Sequence, residues 1–360
     1  MPLEEYATSY QLVDMLYCAV QAHEEAWKAG VLHRDVSAFN IMIYWYKDPK
    51  TGKWKRNGLL VDWGLSKFAW DLKRPAVRKN RSGTWQFISA ILLVFPGRFP
   101  HAVWHDLESF IHIFYWCCLR FHKTDCSHNS DQLQLRTHTL YDFHSTKNGI
   151  SVGGDDKLLM LRQGKLPFYL LGGSFDPALP REDPTKPGYG LTELLTSLSS
   201  LCKEHYKSLE AEIPELATTS SSKPVPAAEP ANVAVVSDEV RSGVGRRRRT
   251  TQYVKPEEPA RPVLSDHTEI LALLDTALYT GPNYWIYHTK EPDQFAQFKS
   301  SPAAQRATAS SQSLKRVSLN DDLDENPAKR LKMDGGSSYA TLSASDDLIS
   351  IPEYTPTQAE

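Results

Sequence analysis

His33-Arg34-Asp35-Val36-Ser37-Ala38-Phe39-Asn40 sets a carboxylate and a carboxamide five residues apart in one short stretch. Oxygen donors of this kind suit a hard cation such as Mg²⁺. Phosphoryl transfer asks for little covalent chemistry. It needs metal ions on the phosphates, a positioned hydroxyl and a carboxylate to receive its proton. Asp35 is the candidate base, and Asn40 is a candidate Mg²⁺ ligand. A second ligand is expected from an Asp-x-Gly turn further on. Asp62-Trp63-Gly64 follows the apolar run Leu59-Leu60-Val61, and Gly64 lets the backbone turn sharply there.

Around this stretch, residues 9–29 are predicted to be helical. Leu12, Met15, Leu16, Ala19, Val20 and Ala26 recur at helical spacing, and Gly30 supplies a stop. Residues 41–46 and 59–61 are predicted as the strands of a hairpin with a long, basic tip over 47–56. Residues 104–119 are apolar nearly all round, the pattern of a helix buried at a domain centre. Between His122 and Tyr189 only short apolar pieces occur, and no element is assigned. Helices are predicted over 191–209 and 268–279. The aromatic run Tyr284-Trp285-Ile286-Tyr287 is expected to pack back onto the main domain. Residues 210–265 are rich in Pro, Ala, Ser, Glu and Val and are expected to form a disordered insert, with a second disordered segment over 298–360.

Composition fits this division. A chain of 360 residues with 41% hydrophobic residues and 23 Pro reads as an ordered part diluted by disordered segments. A net charge of −2 implies no polyanionic partner. Five Cys without C-x-x-C spacing fit reduced thiols in the cytosol or nucleus. Met1-Pro2-Leu3-Glu4-Glu5 does not open a signal peptide, and no apolar run is long enough to span a bilayer. The expected location is therefore nucleus and/or cytoplasm, without secretion or a membrane partner.

Four stretches resemble the fungal-type protein kinase family, a branch of the protein-kinase-like superfamily. They are His33-Arg34-Asp35-Val36-Ser37 through Asn40-Ile41-Met42-Ile43, Leu60-Val61-Asp62-Trp63-Gly64-Leu65-Ser66, Arg81-Ser82-Gly83-Thr84-Trp85-Gln86-Phe87-Ile88-Ser89, and His105-Asp106-Leu107-Glu108-Ser109-Phe110. The resemblance covers about residues 1–209 and 266–297. It implies an α+β, mainly α fold: a kinase C-terminal lobe with a small catalytic-site hairpin, a disordered insert and tail, and no N-terminal lobe. Residues 33–40 would be its catalytic loop, 62–91 its activation segment and 266–297 a closing segment on the lobe. It further implies ATP and Mg²⁺ as cofactors, and transfer to Ser or Thr of a protein substrate. Asp35 would be the base, and Asn40 and Asp62 the Mg²⁺ ligands. His33, Arg34 and Gly64 would be structural, and Asp106 would brace the loop from below.

The sequence also departs from that pattern. No Gly-rich loop and no Lys-bearing strand precede residue 33, and Lys28 with Glu24 and Glu25 lies on the helix that runs into the loop. Ser37 stands where many Ser/Thr kinases carry Lys. Ile91 stands where the activation segment usually closes on Glu, which removes a buried ion pair that anchors it. The expectation is a kinase-family chain whose own transfer is weak or lost. The alternatives are a truncated pseudokinase that binds partners, a complete kinase among them, and a small-molecule phosphotransferase.

Elsewhere, Lys315-Arg316 and Lys329-Arg330-Leu331-Lys332 form two basic groups separated by twelve residues. That is the pattern of a bipartite nuclear import signal, which implies an import receptor as partner. Ser318 reads as a surface serine or as a phosphosite that would weaken the signal. The four Arg at 246–249 lack interleaved aromatics, which argues against a nucleic-acid partner. His105 and His112 read as satisfied core residues rather than metal ligands.

Overall fold

A computed structural model describes residues 1–72, 83–210, 213, 216 and 262–300. The chain divides into two units, 1–311 and 312–360, and every described residue lies in the first. Arg81, Ser82, the four Arg at 246–249, Ser318 and the import residues Lys315, Arg316, Lys329, Arg330 and Lys332 lie outside the described residues. So do the predicted insert and tail, apart from their edges. At those edges order runs further than predicted, because Ile213, Leu216 and Leu264 are apolar and buried.

The fold is mixed α+β and mainly helical. Helix α1 (Ser9–Lys28) starts at Thr8, whose side chain accepts a hydrogen bond from the Gln11 amide, an N-cap. It buries Leu12, Val13, Met15, Leu16, Ala19 and Val20. Gly30, at φ 82°, then turns the chain out of the helix. Strand β1 (Val31–Leu32) leads into the loop quoted above, and β2 (Ile41–Lys47) and β3 (Trp54–Leu60) form the hairpin. β4 (Lys67–Phe68) returns to pair antiparallel with β1, and α2 (Ala69–Leu72) follows it.

The hairpin strands run further than predicted, which shortens the basic tip. Arg56 pairs opposite Trp45 and lies over its ring at 5.7 Å, so the basic stretch is strand rather than tip. Asp48 closes the turn by accepting from the Lys50 amide (2.9 Å), Thr51 Oγ1 (2.9 Å) and Lys55 Nζ (2.6 Å). Gly58 lets β3 lie directly on α1, since a Cβ there would sit 2.0 Å from the Met15 carbonyl oxygen.

After α3 (Ala90–Val94) comes α4 (Val103–Phe121), in which every residue except Trp104 and Arg120 is buried. The stretch that the sequence left unassigned folds as α5 (Ser130–Thr137), the hairpin β5 (His144–Lys147) and β6 (Ile150–Gly153), and α6 (Asp155–Gln163). Strand β7 (Tyr189–Gly190) and helix α7 (Leu191–Leu209) follow, then α8 (Thr268–Tyr279) and β8 (Trp285–Ile286). β8 pairs in parallel with β7. Trp285 is fully buried, and its indole N–H donates to Ser9 Oγ at 2.9 Å. Arg120 grips Asp293 with two bonds of 2.9 Å and also meets Glu4, which fastens the aromatic segment to α4.

Candidate active site

Short backbone contacts draw the loop 33–40 and the turn at 62–65 together. His33 Nε2 donates to the Val61 carbonyl (3.1 Å), while its Nδ1 accepts from the Asp35 amide (3.2 Å). These two bonds define a neutral ring, and burial lowers its pKa accordingly. The Val61 amide donates to the Asn40 carbonyl (2.9 Å), and the Arg34 guanidinium donates to the Leu65 carbonyl (3.1 Å). Trp63 packs against the His33 ring at 4.5 Å, so an aromatic at this place joins turn to loop.

Asp35 presents its carboxylate with one oxygen already engaged. Oδ1 accepts from both the amide (2.7 Å) and the hydroxyl (2.8 Å) of Thr84. Burial raises the Asp35 pKa, and the Thr84 bonds oppose that rise. Asn40 Nδ2 donates to the Asp35 carbonyl (2.8 Å), which leaves the amide oxygen for a cation. Asp62 sits in the left-handed region at φ 62°, with Oδ1 accepting from the Gly64 amide at 3.4 Å.

Only three non-glycine residues among those described have positive φ: Arg34 (71°), Asp62 (62°) and Asn148 (52°). Asn148 is in the β5–β6 turn, where such a backbone is ordinary. The other two flank the candidate site. Such backbone costs on the order of 1–3 kcal/mol and persists only where the surroundings hold it. For Arg34 the holder is Asp106, whose Oδ2 accepts from the Arg34 amide at 2.8 Å.

Asp106 is the hub beneath the loop. Besides Arg34 it accepts from His23 Nε2 (3.0 Å) and His101 Nε2 (2.6 Å). Burial alone would raise its pKa, but the two imidazoles hold the carboxyl well below the usual carboxylate range. On its other side, His23 Nδ1 meets His267 Nε2 at 2.7 Å. This relay carries the brace to His267, at the start of α8.

Ile91 is buried, and residues 86–90 beside it are held by two buried polar side chains. Glu108, on α4, accepts from Ser89 Oγ (2.8 Å) and the Ala90 amide (2.7 Å). Lys157, on α6, donates to the carbonyls of Gln86 (2.6 Å) and Ile88 (3.4 Å). Sequence reasoning missed Glu108, Lys157, Thr84 and His101. A carboxylate inside an all-round apolar helix was a usable signal for Glu108, because unpaired carboxylates are almost never fully buried. Nothing in the sequence distinguishes Lys157 from a surface lysine.

The other site residues behave simply. Ser37 is fully buried, with no hydrogen-bond partner for its hydroxyl among the described residues, and it brings no charge to the site. Lys28 pairs with Glu24 (3.0 Å) and Glu25 (2.9 Å) on an exposed turn of α1. His105 accepts from the Ala102 amide and His112 meets Glu108, both inside the core. Among the described residues no group of three His, Cys, Asp or Glu side chains is placed to hold a metal ion. The hard oxygens of Asn40 and Asp62 fit Mg²⁺ nonetheless, since that ion keeps waters and takes one or two protein ligands beside phosphate oxygens.

Residues 1–118 match the model of a family described as fungal protein kinase. This segment, about a third of the chain, is similar to the fungal protein kinases. No curated protein matches the chain. The kinase segment contains Asp35, Asn40, Asp62, Thr84, His101, Asp106 and Glu108, whereas Lys157, Tyr206 and His267 lie beyond it. No described helix is long and apolar enough to cross a membrane.

Lys157 gives the kinase segment's anchor a pH signature. Burial lowers its pKa from 10.5 to about 7, against the pull of Glu108 and Asp142. Between pH 7 and 10.5 the unfolded chain therefore holds a proton that the folded chain does not. Stability should rise with pH across that window, by up to about 1.4 kcal/mol per pH unit. Lys157→Met should flatten the rise, as read from urea unfolding at pH 7, 8 and 9.

Proposed function

We propose that the chain is a protein kinase that transfers the γ-phosphoryl group of ATP to Ser or Thr hydroxyls, from the C-terminal lobe of a kinase fold. The observation that carries this reading is the Asp35 carboxylate, whose Oδ1 is oriented by two Thr84 donors. Burial strengthens Asp35 as a base by raising its proton affinity. The oxygens of Asn40 and Asp62 hold Mg²⁺, and Arg34 and Asp106 keep the loop in its strained form. When bound, Mg²⁺ neutralises charge on the phosphates. Transfer by this chain is weak, because Lys28, Glu24 and Glu25 pair with one another on an exposed turn and Ser37 is neutral. Incubation with radiolabelled ATP, Mg²⁺ and mixed Ser/Thr peptides should give slow labelling of hydroxyl residues. Labelling that persists unchanged in Asp35→Asn would contradict this assignment.

A second reading, a pseudokinase that binds partners without transfer, is favoured by exposed aromatic surface. Tyr44 on the hairpin is 51% exposed, and the stacked pair Phe68–Trp70 is 46% and 63% exposed. Mg²⁺-dependent ATP binding without any labelling would select it. Nuclear import through Lys315, Arg316, Lys329, Arg330 and Lys332 is proposed for either reading. A Lys329→Ala/Arg330→Ala variant should be excluded from nuclei, and one that stays nuclear would sink the assignment.

A further inference from the structure

We infer that Glu108 and Lys157 are positioning residues, a buried carboxylate and a buried amine that fix residues 86–90 and, through Thr84, orient the Asp35 carboxylate. The inference rests on the kinase reading for its consequence at Asp35, though not for the clamp itself.

The two side chains grip the segment with opposite hydrogen-bonding character. Glu108 takes donors. Its Oε1 accepts from the Ala90 amide (2.7 Å) and His112 Nε2 (3.1 Å), and its Oε2 accepts from Ser89 Oγ (2.8 Å) and Tyr206 OH (2.6 Å). Lys157 supplies donors to the carbonyls of Gln86 and Ile88, and its ammonium lies 5.2 Å from the centre of the Tyr141 ring. Both side chains are buried, at 0% and 1% exposure, so neither polar end can turn to water instead. A shift of the segment by one residue would bring the wrong backbone groups to both. That would strand a buried carboxylate and leave the buried amine's donors unpaired, which is unfavourable. The clamp therefore specifies register as well as attachment.

The link to the base is continuous. Within the clamped turn the Thr84 carbonyl accepts from the amides of Phe87 (2.9 Å) and Ile88 (3.2 Å). The amide and hydroxyl of the same threonine hold Asp35 Oδ1. Loosening residues 86–90 frees Thr84, and Asp35 then loses both donors. The parts come from α4, α6 and α7, so the clamp joins the matched kinase segment to helices beyond it.

Hydrogen exchange of the intact chain tests this at single amides. Lys157→Met and the milder Tyr206→Phe should speed exchange at Thr84, Phe87, Ile88 and Ala90 by about tenfold or more, the effect of losing one charge-assisted bond. Leu198→Ala, a core truncation on α7 outside the clamp, should weaken the fold without singling out those amides. Where transfer is measurable, the clamp variants should lower kcat and leave the KM for ATP unchanged, because they touch neither Asn40 nor Asp62. Wild-type protection at the four amides in both clamp variants would overturn the inference. So would an equal loss in Leu198→Ala. The exchange readout needs neither ATP nor transfer, so failure of the kinase reading leaves it intact. Normal transfer with no change in exchange would defeat the clamp alone.

Discussion

Asp35→Asn is expected to lower phosphoryl transfer by about 10²–10⁴-fold, the range for loss of a general base. The fold should survive, because asparagine keeps an oxygen where Asp35 Oδ1 now accepts from the amide and hydroxyl of Thr84. The unfolding midpoint should stay close to that of the native chain, which separates lost chemistry from lost structure. The residual rate should also lose its dependence on this carboxyl. In the native chain burial raises the Asp35 pKa, so transfer should rise with pH through a midpoint above the ordinary carboxylate range. A pH–rate profile on both proteins checks the sign.

Asp106→Ala is expected to destabilise the chain by about 3–5 kcal/mol, as when one partner of a buried charged network is removed. Three donors would be stranded: the Arg34 amide, His23 Nε2 and His101 Nε2. Arg34 would also lose the contact that holds its positive φ, so the catalytic loop should loosen first. Acid sensitivity should change with it. The folded Asp106 carboxyl titrates well below its unfolded value of about 3.9. Its stabilisation is present above that value and is lost as pH falls below it. Urea unfolding at pH 7 and at pH 3 should show a smaller acid loss in Asp106→Ala than in the native chain. Equal acid losses would place the brace elsewhere.

The long helices were legible because burial imposed periodicity on them. α1, α4, α7 and α8 fall within two residues of their predicted bounds at either end. Residues 122–189 were opaque for a physical reason. α5 and α6 are eight and nine residues long, too short for a clear hydrophobic period, β5 carries exposed polar residues, and β6 has only four residues. The hairpin tip was overestimated because charge was read as loop, whereas Arg56 is held in the strand by Trp45. At the site, Asp35, Asn40 and Asp62 were named from residue type and local spacing, and Asp106 from the family resemblance. Thr84, Glu108 and Lys157 act through contacts distant in sequence, 49 residues apart for Thr84 and Asp35, and spacing does not reveal these. The departure at Ile91 shows the same limit. The sequence put Ile91 in place of a carboxylate, and only the fold revealed that Glu108 accepts from Ser89 and the Ala90 amide beside it.

The most direct measurement is Mg²⁺-dependent ATP binding, followed by thermal shift and calorimetry on the native chain and on Asp62→Asn. The account predicts a weak, saturable signal that requires Mg²⁺ and disappears in Asp62→Asn. Binding that ignores Mg²⁺, or that survives unchanged in Asp62→Asn, would contradict it.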